Sequence, residues 1–333
     1  MKVSELGEFG LIELLAGILG SPDCDVLVGI GDDAAAWHNE AAIQVATTDA
    51  LVQDIHFTLN TVSWHDLGWK ALAANLSDIA AMGGVPKHAL VALGLPGETE
   101  VDDVAELYRG MRELGESFGV HVVGGDVVGA PLVMLSLAVH GTAERLLTRS
   151  AARHGDCIAV TGLLGASSAG LLMLQRGLHV DEATAEVLRE AHVRPFPRVA
   201  EGQILARSDV AAAIDISDGL VGDLSRLCKA SGVGARVFTE EVPVHPAVRS
   251  TFQAEYLSLA LSGGEDYELL FTGSNEAIAT VKGLMPCPVS IIGEITGREP
   301  GTVKLLDGKG DELRLERVGW EHFGPGKEDA SRH

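Results

Sequence analysis

The chain has 333 residues, of which 46% are hydrophobic and 5% aromatic, and it carries a formal net charge of −22 at pH 7. This length suits two ordinary domains or one large one with an aliphatic core, and the negative field disfavours nucleic acid and anionic membranes as partners. The four cysteines are widely spaced and show no C-x-x-C spacing, which predicts a reduced protein. The sequence shows no signal-like or membrane-spanning apolar run, which predicts a cytoplasmic location.

Strand-like and helix-like hydrophobic patterns alternate along the chain. In order, they predict a strand at 43–47, a helix at 64–82, a strand at 88–95, a helix at 102–118, strands at 120–123, 132–140 and 157–161, and a helix from 217 or 218 to just before 232. Ser63, with Asp66 three residues later, resembles a capping box at the start of the helix at 64–82. The predicted fold class is therefore α/β, with mixed layers of helices and strands.

The polar and basic segment 143–156 lies between two predicted strands. We place a domain boundary there, which gives an N-terminal domain over 1–147 and a C-terminal domain over 148–333. Asp78 and Asp126 are 48 residues apart, and so are Asp218 and Asp266. Coincidence and two related halves that face one cleft both remain open as explanations of this spacing.

Carboxylates collect in short segments that are rich in Gly, Ser or Thr and lie next to apolar runs. These segments are GIGDDAA (29–35), TTDALVQDIHF (47–57), NLSDIAAMGG (75–84), GGDVV (124–128), IDISDGLVGDL (214–224) and SGGEDYELLF (262–271). If they converge, the carboxylates raise one another's pKa and strain the fold, and divalent cations remove that penalty. Oxygen ligands without Cys or His spacing favour Mg²⁺, which commonly takes its remaining ligands from phosphate. The set predicts a site for metal and polyphosphate.

Each of these features also has an ordinary structural explanation. Asp and Gly together are common turn formers, and Asp218 could cap the helix that follows it. His56 could be a structural histidine, Arg149 a solvated surface residue, and Trp320 an anchor of the core. The chain lacks the G-x-x-x-x-G-K-[ST] motif of P-loop enzymes and the H-R-D and D-F-G motifs of protein kinases, so ATP would require a different cradle.

In this order, the acidic segments resemble those of the thiamine-monophosphate kinases, a family within the aminoimidazole-ribonucleotide-synthetase-like ATP-binding superfamily. The resemblance extends from GEFGLI at residue 7 to GWEHF at 319–323 and includes WKALAANLSDIAAMGGVP, VVGGDVV, LTRSAARHGD, AIDISDGLVGDL and LSGGEDYELLFT. It implies the two-domain fold of that superfamily and direct, Mg²⁺-dependent transfer of a phosphoryl group from ATP to thiamine monophosphate. It also implies a homodimer that forms through the N-terminal domains.

The resemblance further implies roles for individual residues. Those on magnesium positions are Asp33, Thr47, Thr48, Asp49, Asp78, Asp126, Asp215 and Asp218, and Asp32 lies beside the first of them. Those on nucleotide positions are Tyr108, Gly125, Arg149 and Ser217. Those on thiamine-phosphate positions are His56, Glu265 and Trp320. We expect the catalytic carboxylates to be Asp78, Asp126 and Asp218.

Two other functions remain open at this stage. The first is another activity of the same superfamily, such as a ring-closing purine synthetase or a selenophosphate synthetase, although Cys24 in SPDCDV is a poor setting for the reactive residue of the latter. The second is an acidic protein that binds cations or nucleotides without turnover. Product formation from ATP and thiamine monophosphate would separate all three.

Overall fold

The computed structural model describes residues 1–6, 8–20, 26–28, 36–37, 43–297, 299–315 and 318–320. Within them, the first half of the chain contains α1 (Val3–Leu6), α2 (Glu8–Leu19), β1 (Val26–Val28), β2 (Ala36–Trp37), β3 (Ile43–Val52), α3 (Trp64–Ala81), β4 (Val85–Leu95), α4 (Val101–Phe118), β5 (His121–Gly129) and β6 (Met134–Ala143). A four-stranded sheet has the order β3-β6-β4-β5, in which only β4 and β5 run parallel. The predicted helices of this half are confirmed, and so are the positions of its predicted strands, although β3 and β5 extend well beyond the predicted 43–47 and 120–123.

The helix α3 is the centre of the first half. Its N-cap is the predicted one, because the Ser63 hydroxyl accepts a hydrogen bond from the backbone N–H of Asp66. The helix packs closely against α4 at two glycines. A Cβ atom on Gly68 would lie 1.8 Å from the carbonyl oxygen of Leu107, and one on Gly110 would lie 1.9 Å from that of His65. Only glycine permits this approach, which leaves α3 almost wholly buried.

The second half contains β7 (Cys157–Thr161), α5 (Ala166–Arg176), α6 (Glu182–Val193), α7 (Val199–Arg207), β8 (Ala212–Asp215), α8 (Leu220–Ser231), β9 (Gly234–Phe238), α9 (Pro246–Thr251), α10 (Tyr256–Ser262), β10 (Leu269–Gly273), α11 (Asn275–Leu284), β11 (Val289–Thr296), β12 (Val303–Leu306) and β13 (Glu312–Leu313). A seven-stranded sheet has the order β13-β12-β9-β11-β7-β10-β8. Mixed layers of helices and strands are therefore confirmed for both halves.

The start of α8 corrects one sequence-based explanation. Its N-cap is Gly219 and not Asp218, and the side chain of Asp223 inside the helix accepts from the backbone N–H groups of Ser217 and Asp218. The carboxyl of Asp218 is thus not used as a cap. Asp78 lies within a helix whereas Asp218 precedes one, so the repeated 48-residue spacing does not mark equivalent local structures.

The two halves are joined along α3. The carboxylate of Asp66 pairs with Arg189 at 2.7 Å and also with Arg194, both from the second half. Trp69 donates its indole N–H to the carbonyl oxygen of Pro195 at 2.9 Å. The predicted boundary between 147 and 148 lies between the last strand of the four-stranded sheet and the first strand of the seven-stranded one, and it stays a prediction. Among the described helices, none is both long and apolar enough to cross a bilayer.

Candidate active site

A cavity of about 700 Å³ opens where the two halves meet. Its walls come from β3 and the loop that follows it, from α3, from the segments after β8 and before β10, and from the described residues near the C-terminal end. The predicted site residues that line it are Asp49, His56, Asp78, Asp215, Ser217, Asp218, Glu265 and Trp320. Predicted metal, nucleotide and substrate residues therefore share one cavity.

Hydrogen bonds fix two of the carboxylates at one end of this cavity. The Thr47 hydroxyl on β3 donates to Oδ2 of Asp78 on α3 at 2.5 Å. The Ser77 hydroxyl, also on α3, donates to Oδ2 of Asp215 at 2.8 Å, across the junction between the halves. A carboxylate in a buried helix needs a hydrogen-bonding partner, and Thr47 is the partner of Asp78.

The pKa values of the carboxylates reflect their burial and their closeness to one another. Burial, together with the charges of Asp78 and Asp218, raises the pKa of Asp49 to about 6. Burial raises the pKa of Asp215 to about 8, with added repulsion from Asp78 and Asp223. Burial also raises the pKa of Asp78, against its hydrogen bond from a threonine. Ionising these groups together is unfavourable unless positive charge arrives.

The donor set fits magnesium better than a softer metal. Across the part of the chain that the structure describes, no three His, Cys, Asp or Glu side chains converge tightly enough to hold an ion on their own. The carboxylates instead line a cavity without closing into a cage. Mg²⁺ commonly takes only one or two carboxylates and completes its shell with water and phosphate oxygens, so such an open arrangement suits an ion that arrives with a polyphosphate.

Asp218 has a different environment from the other carboxylates. Its Oδ2 lies 2.6 Å from the guanidinium of Arg226, which also lines the cavity and pairs with the buried Asp223. Its carbonyl oxygen accepts the backbone N–H of Trp320 at 3.0 Å. Asp218 therefore connects the carboxylate end of the cavity to the residue predicted to contact thiamine.

Two predicted metal ligands lie on the other face of the four-stranded sheet. Alternation along β3 turns Thr48 outward, opposite to the face that packs on α3. The register aligns Asp126 on β5 with Ala92, Ser136 and Ala50 across the sheet, which places Asp126 on the same outer face, exposed. The two edge strands are about 14 Å apart. Within one chain, the structure does not bring Thr48 or Asp126 to the cavity.

The predicted nucleotide residues are also divided. Burial raises the pKa of both Asp78 and Asp215, and the charge of the exposed Arg149 offsets part of that rise, so this side chain lies near the two carboxylates. Tyr108, however, is 4% exposed in the core on α4 and does not line the cavity. At Gly125, a Cβ atom would lie 2.0 Å from the carbonyl oxygen of Val91, so the neighbouring strand already requires glycine there. Asp32 and Asp33 lie outside the described residues.

The residues predicted to contact thiamine line the same cavity. His56 accepts the backbone N–H of Val52 on Nδ1 at 3.0 Å. Glu265 adopts φ of 66°, and its backbone N–H donates to the carbonyl oxygen of Ser217 at 2.8 Å. Trp320 is 38% exposed and lines the cavity. An exposure of that size favours a role in the cavity over a role as a core anchor.

Comparisons with known proteins agree with this geometry. The family model of AIR synthase related proteins matches twice, its N-terminal domain at 31–143 and its C-terminal domain at 153–305. A thiamine-monophosphate kinase from Salmonella typhimurium is 41% identical over 327 residues, which cover 95% of this chain and 98% of the relative. The chain belongs to the thiamine-monophosphate kinase family.

Solved structures of the thiamine-monophosphate kinase family share the fold along nearly the whole chain. The crystal structure of the enzyme from Stenotrophomonas maltophilia K279a aligns with a TM-score of 0.80 at 34% identity, covering 91% of this chain and 96% of that one. AaThiL complexed with AMPPCP and TMP aligns with a TM-score of 0.76 at 34% identity, covering 97% and 99%. The predicted family resemblance and the predicted two-domain fold are thus confirmed.

The sequence-based prediction did not include two residues that support the site. Lys70 on α3 is 1% exposed and donates to Oε2 of Glu265 at 2.9 Å, and His192 on α6 lines the cavity. Lys70 could have been recognised from the sequence, because it is a charged residue in a helix with an otherwise apolar pattern. No local signal distinguishes His192.

Proposed function

We propose that the chain is a Mg²⁺-dependent enzyme that transfers the γ-phosphoryl group of ATP to the phosphate of thiamine monophosphate, in the cytoplasm and as a homodimer. The bond between the γ-phosphorus and the bridging oxygen of ATP breaks, and a bond to an oxygen of the acceptor phosphate forms. The products are ADP and thiamine diphosphate. The observation that carries the proposal is one cavity that is lined both by the carboxylates Asp49, Asp78 and Asp215 and by Glu265, His56 and Trp320. Family membership agrees with it.

The residues of the chain supply binding and orientation. Asp49, Asp78 and Asp215 would hold the metal ions, since they are oxygen donors without enough positive charge around them. Bound Mg²⁺ supplies the charge that offsets both the carboxylates and the two phosphates. Arg149, which faces Asp78 and Asp215, is placed to contact the triphosphate with its planar guanidinium.

A strong general base is not needed for this reaction. The acceptor is a phosphate oxygen that is already ionised near pH 7, and phosphoryl transfer depends mainly on positioning and electrostatics. The histidine in the inner wall of the cavity agrees with this, since burial and the charge of Lys70 lower the pKa of His192 to about 2. We therefore propose direct in-line transfer without a phosphoenzyme.

A homodimer would explain the position of Thr48 and Asp126. The outer face of the four-stranded sheet also exposes Val128 at 48% and Met134 at 38%, which are large apolar side chains for a solvated surface. A second copy that packs on this face would bury them and would bring Thr48 and Asp126 into an interface between two sites. The three described cysteines are free thiols, which agrees with a reducing cytoplasm.

The central test is a panel of acceptors assayed with ATP, with and without Mg²⁺, and with Asp78→Asn as the variant. Thiamine monophosphate should be converted to the diphosphate only with Mg²⁺, and Asp78→Asn should lose turnover by about 100-fold or more while thiamine monophosphate still binds. Asp102→Asn, on the exposed side of α4, is the matched control. ADP release without thiamine diphosphate, or near-normal turnover by Asp78→Asn, would contradict the proposal.

The dimer is tested separately by light scattering after size exclusion. The wild-type chain should have the mass of a dimer, and Val128→Glu should give a monomer with reduced turnover. Lys282→Glu, on the exposed side of α11, is the control. A wild-type monomer with full turnover would exclude the dimer and would leave the proposed reaction intact.

A further inference from the structure

We propose that Lys70 is a positioning residue for the acceptor end of the cavity, where its ammonium holds one oxygen of Glu265 so that the other oxygen is presented to the organic part of the acceptor. This inference rests on the proposed function, and it adds the residue that sets the orientation of a substrate-contacting group. Lys70 belongs to the first half of the chain and Glu265 to the second.

The contact is short and almost completely buried. Lys70 Nζ lies 2.9 Å from Oε2 of Glu265, and the lysine side chain is 1% exposed, whereas Glu265 is 26% exposed and lines the cavity. The ammonium therefore has no access to ligand, but the carboxylate does. A buried charge of this kind is strongly unfavourable unless it is paired, so Lys70 constrains where the carboxylate can lie.

Lys70 also supplies positive charge to the group of side chains that it forms with His192 and Glu265. Both ring nitrogens of His192 lie within 3.5 Å of Lys70 Nζ, and Nδ1 lies 3.3 Å from Oε2 of Glu265. Burial and the ammonium lower the pKa of His192 to about 2, so the imidazole is neutral. Glu265 thus has one cationic partner here, and the neutral ring and the Ser167 hydroxyl beside it complete the packing.

The backbone around Glu265 needs such a constraint. Glu265 has φ of 66° and Tyr267 has φ of 51°, a left-handed conformation that is unfavourable for non-glycine residues. A segment with two such residues keeps this conformation only where several surrounding contacts hold it in place. The ion pair to α3 is one of the contacts that do so, and the backbone bond to Ser217 is another.

One helix then positions both ends of the site. Lys70, Ala74, Ser77 and Asp78 fall within one stripe of α3, and Ala74 and Asp78 line the cavity. Lys70 reaches Glu265, and Ser77 reaches Asp215. Residues 70 and 77 are about 11 Å apart along the helix axis, at a rise of ~1.5 Å per residue. α3 therefore supports both Glu265, which faces the acceptor's organic part, and a carboxylate that faces its phosphate.

The chemistry of this end selects a class of group on the acceptor. A carboxylate paired with an ammonium only accepts hydrogen bonds. The oxygen left to the cavity would bind an N–H donor or a cationic ring and would reject a group that offers only lone pairs. Lys70 fixes the direction from which that donor must approach, which makes it a determinant of specificity without touching the substrate.

The test compares Lys70→Met, Glu265→Gln and the double variant, with Lys282→Met as a control on the exposed side of α11. Apparent KM and kcat are measured for thiamine monophosphate and for ATP, and thermal unfolding is recorded for each protein. Lys70→Met should raise KM for thiamine monophosphate by about 10-fold or more and leave KM for ATP within about twofold, because only the acceptor end loses a charge-assisted contact. In the Glu265→Gln background, the same substitution should change KM by less than about twofold.

The outcomes separate this inference from the proposed function. Wild-type protein that makes no thiamine diphosphate would overturn both. If the wild-type protein makes thiamine diphosphate but Lys70→Met has an unchanged KM for thiamine monophosphate, only the role of Lys70 would be overturned. The role of Lys70 would also be overturned if Lys70→Met raised KM equally for thiamine monophosphate and for ATP. The same conclusion would follow if Lys70→Met raised KM by its full amount in the Glu265→Gln background. Either result would indicate a general structural role. If Lys70→Met does not fold, the double variant decides, because it lacks both charges of the pair. Its KM for thiamine monophosphate must then match that of Glu265→Gln.

Discussion

Ser77 and Asp215 are joined by a hydrogen bond of 2.8 Å between the hydroxyl of a helix in the first half and a carboxylate in the second. Asp215 is 2% exposed, so this bond supports an otherwise desolvated carboxyl and offsets part of the rise in its pKa that burial causes. The relationship connects the metal-binding end of the proposed site directly to the packing of the two halves.

Ser77→Ala is expected to raise the Mg²⁺ concentration for half-maximal turnover by about 10-fold, because the carboxylate loses a stabilising hydrogen bond of the charge-assisted kind. The measurement is a Mg²⁺ titration of the initial rate at fixed ATP and thiamine monophosphate. Ser258→Ala is the control, since that exposed hydroxyl donates only to the carbonyl oxygen of Glu255 in its own helical segment. An unchanged titration curve for Ser77→Ala would remove Asp215 from the metal site.

Trp320→Ala is expected to raise KM for thiamine monophosphate by about 2- to 30-fold, the range of one cation–π contact, with little change in thermal stability. Trp69→Ala is the matched variant. It should lower thermal stability and should change KM for thiamine monophosphate little. Its indole donates to Pro195 and lies under the guanidinium of Arg194, so its loss weakens the junction between the halves. Unfolding of Trp320→Ala at the temperature of Trp69→Ala would instead make Trp320 a structural anchor.

The metal-free protein should lose stability as pH rises from about 4 to 8. Burial first, and neighbouring carboxylates second, raise the pKa of Asp215 from 3.8 to about 8 and that of Asp49 to about 6. In this window the unfolded chain has released protons that the folded chain still holds, so the free energy of unfolding falls with pH. Thermal unfolding in EDTA across this range measures the slope, and Asp215→Asn should reduce it.

Added Mg²⁺ should oppose that trend. It binds the ionised carboxylates of the folded state, so the rise in Tm on adding Mg²⁺ should be larger at pH 8 than at pH 5.5. A Mg²⁺-induced rise that is the same at both pH values, or that persists fully in Asp215→Asn, would show that the ion binds elsewhere.

Gly125→Ala should destabilise the first half, because its Cβ would meet the carbonyl oxygen of Val91 at 2.0 Å in the paired strand. Gly129→Ala in the same strand has nothing within 4 Å of the added atom and should be tolerated. Circular dichroism melts of both variants measure the difference. A folded, stable Gly125→Ala that has lost only ATP binding would support the nucleotide role predicted from the sequence.

Much of the fold was predictable because its signals are local. The period of the apolar residues identified α3 and α4 within a residue at each end, and Ser63 gave the cap. β3 was predicted too short, at 43–47, because Thr48 and Ala50 turn outward and interrupt the apolar run while the pairing with β6 continues. Hydrogen bonding to a neighbouring strand is not visible in a single segment.

The site was less predictable because its geometry depends on contacts between distant segments. Asp49 and Asp126 both follow a Thr- or Gly-rich run, yet strand order and pleat place one beside α3 and the other on the outer face. Lys70 and Glu265 meet although 195 positions separate them. Asp223, in the acidic segment IDISDGLVGDL, accepts two backbone N–H groups from the residues that precede α8.

The polar contacts along α3 have a consequence for how the protein can be divided. Severing the chain near residue 147 would leave Asp66 without its two arginines, Lys70 without its glutamate and Asp215 without its serine. Each fragment would then expose or bury an uncompensated charge. A cut at the boundary between the two sheets in the sequence would therefore separate halves that depend on each other for stability. The two pieces should therefore be recovered folded only when they are produced together.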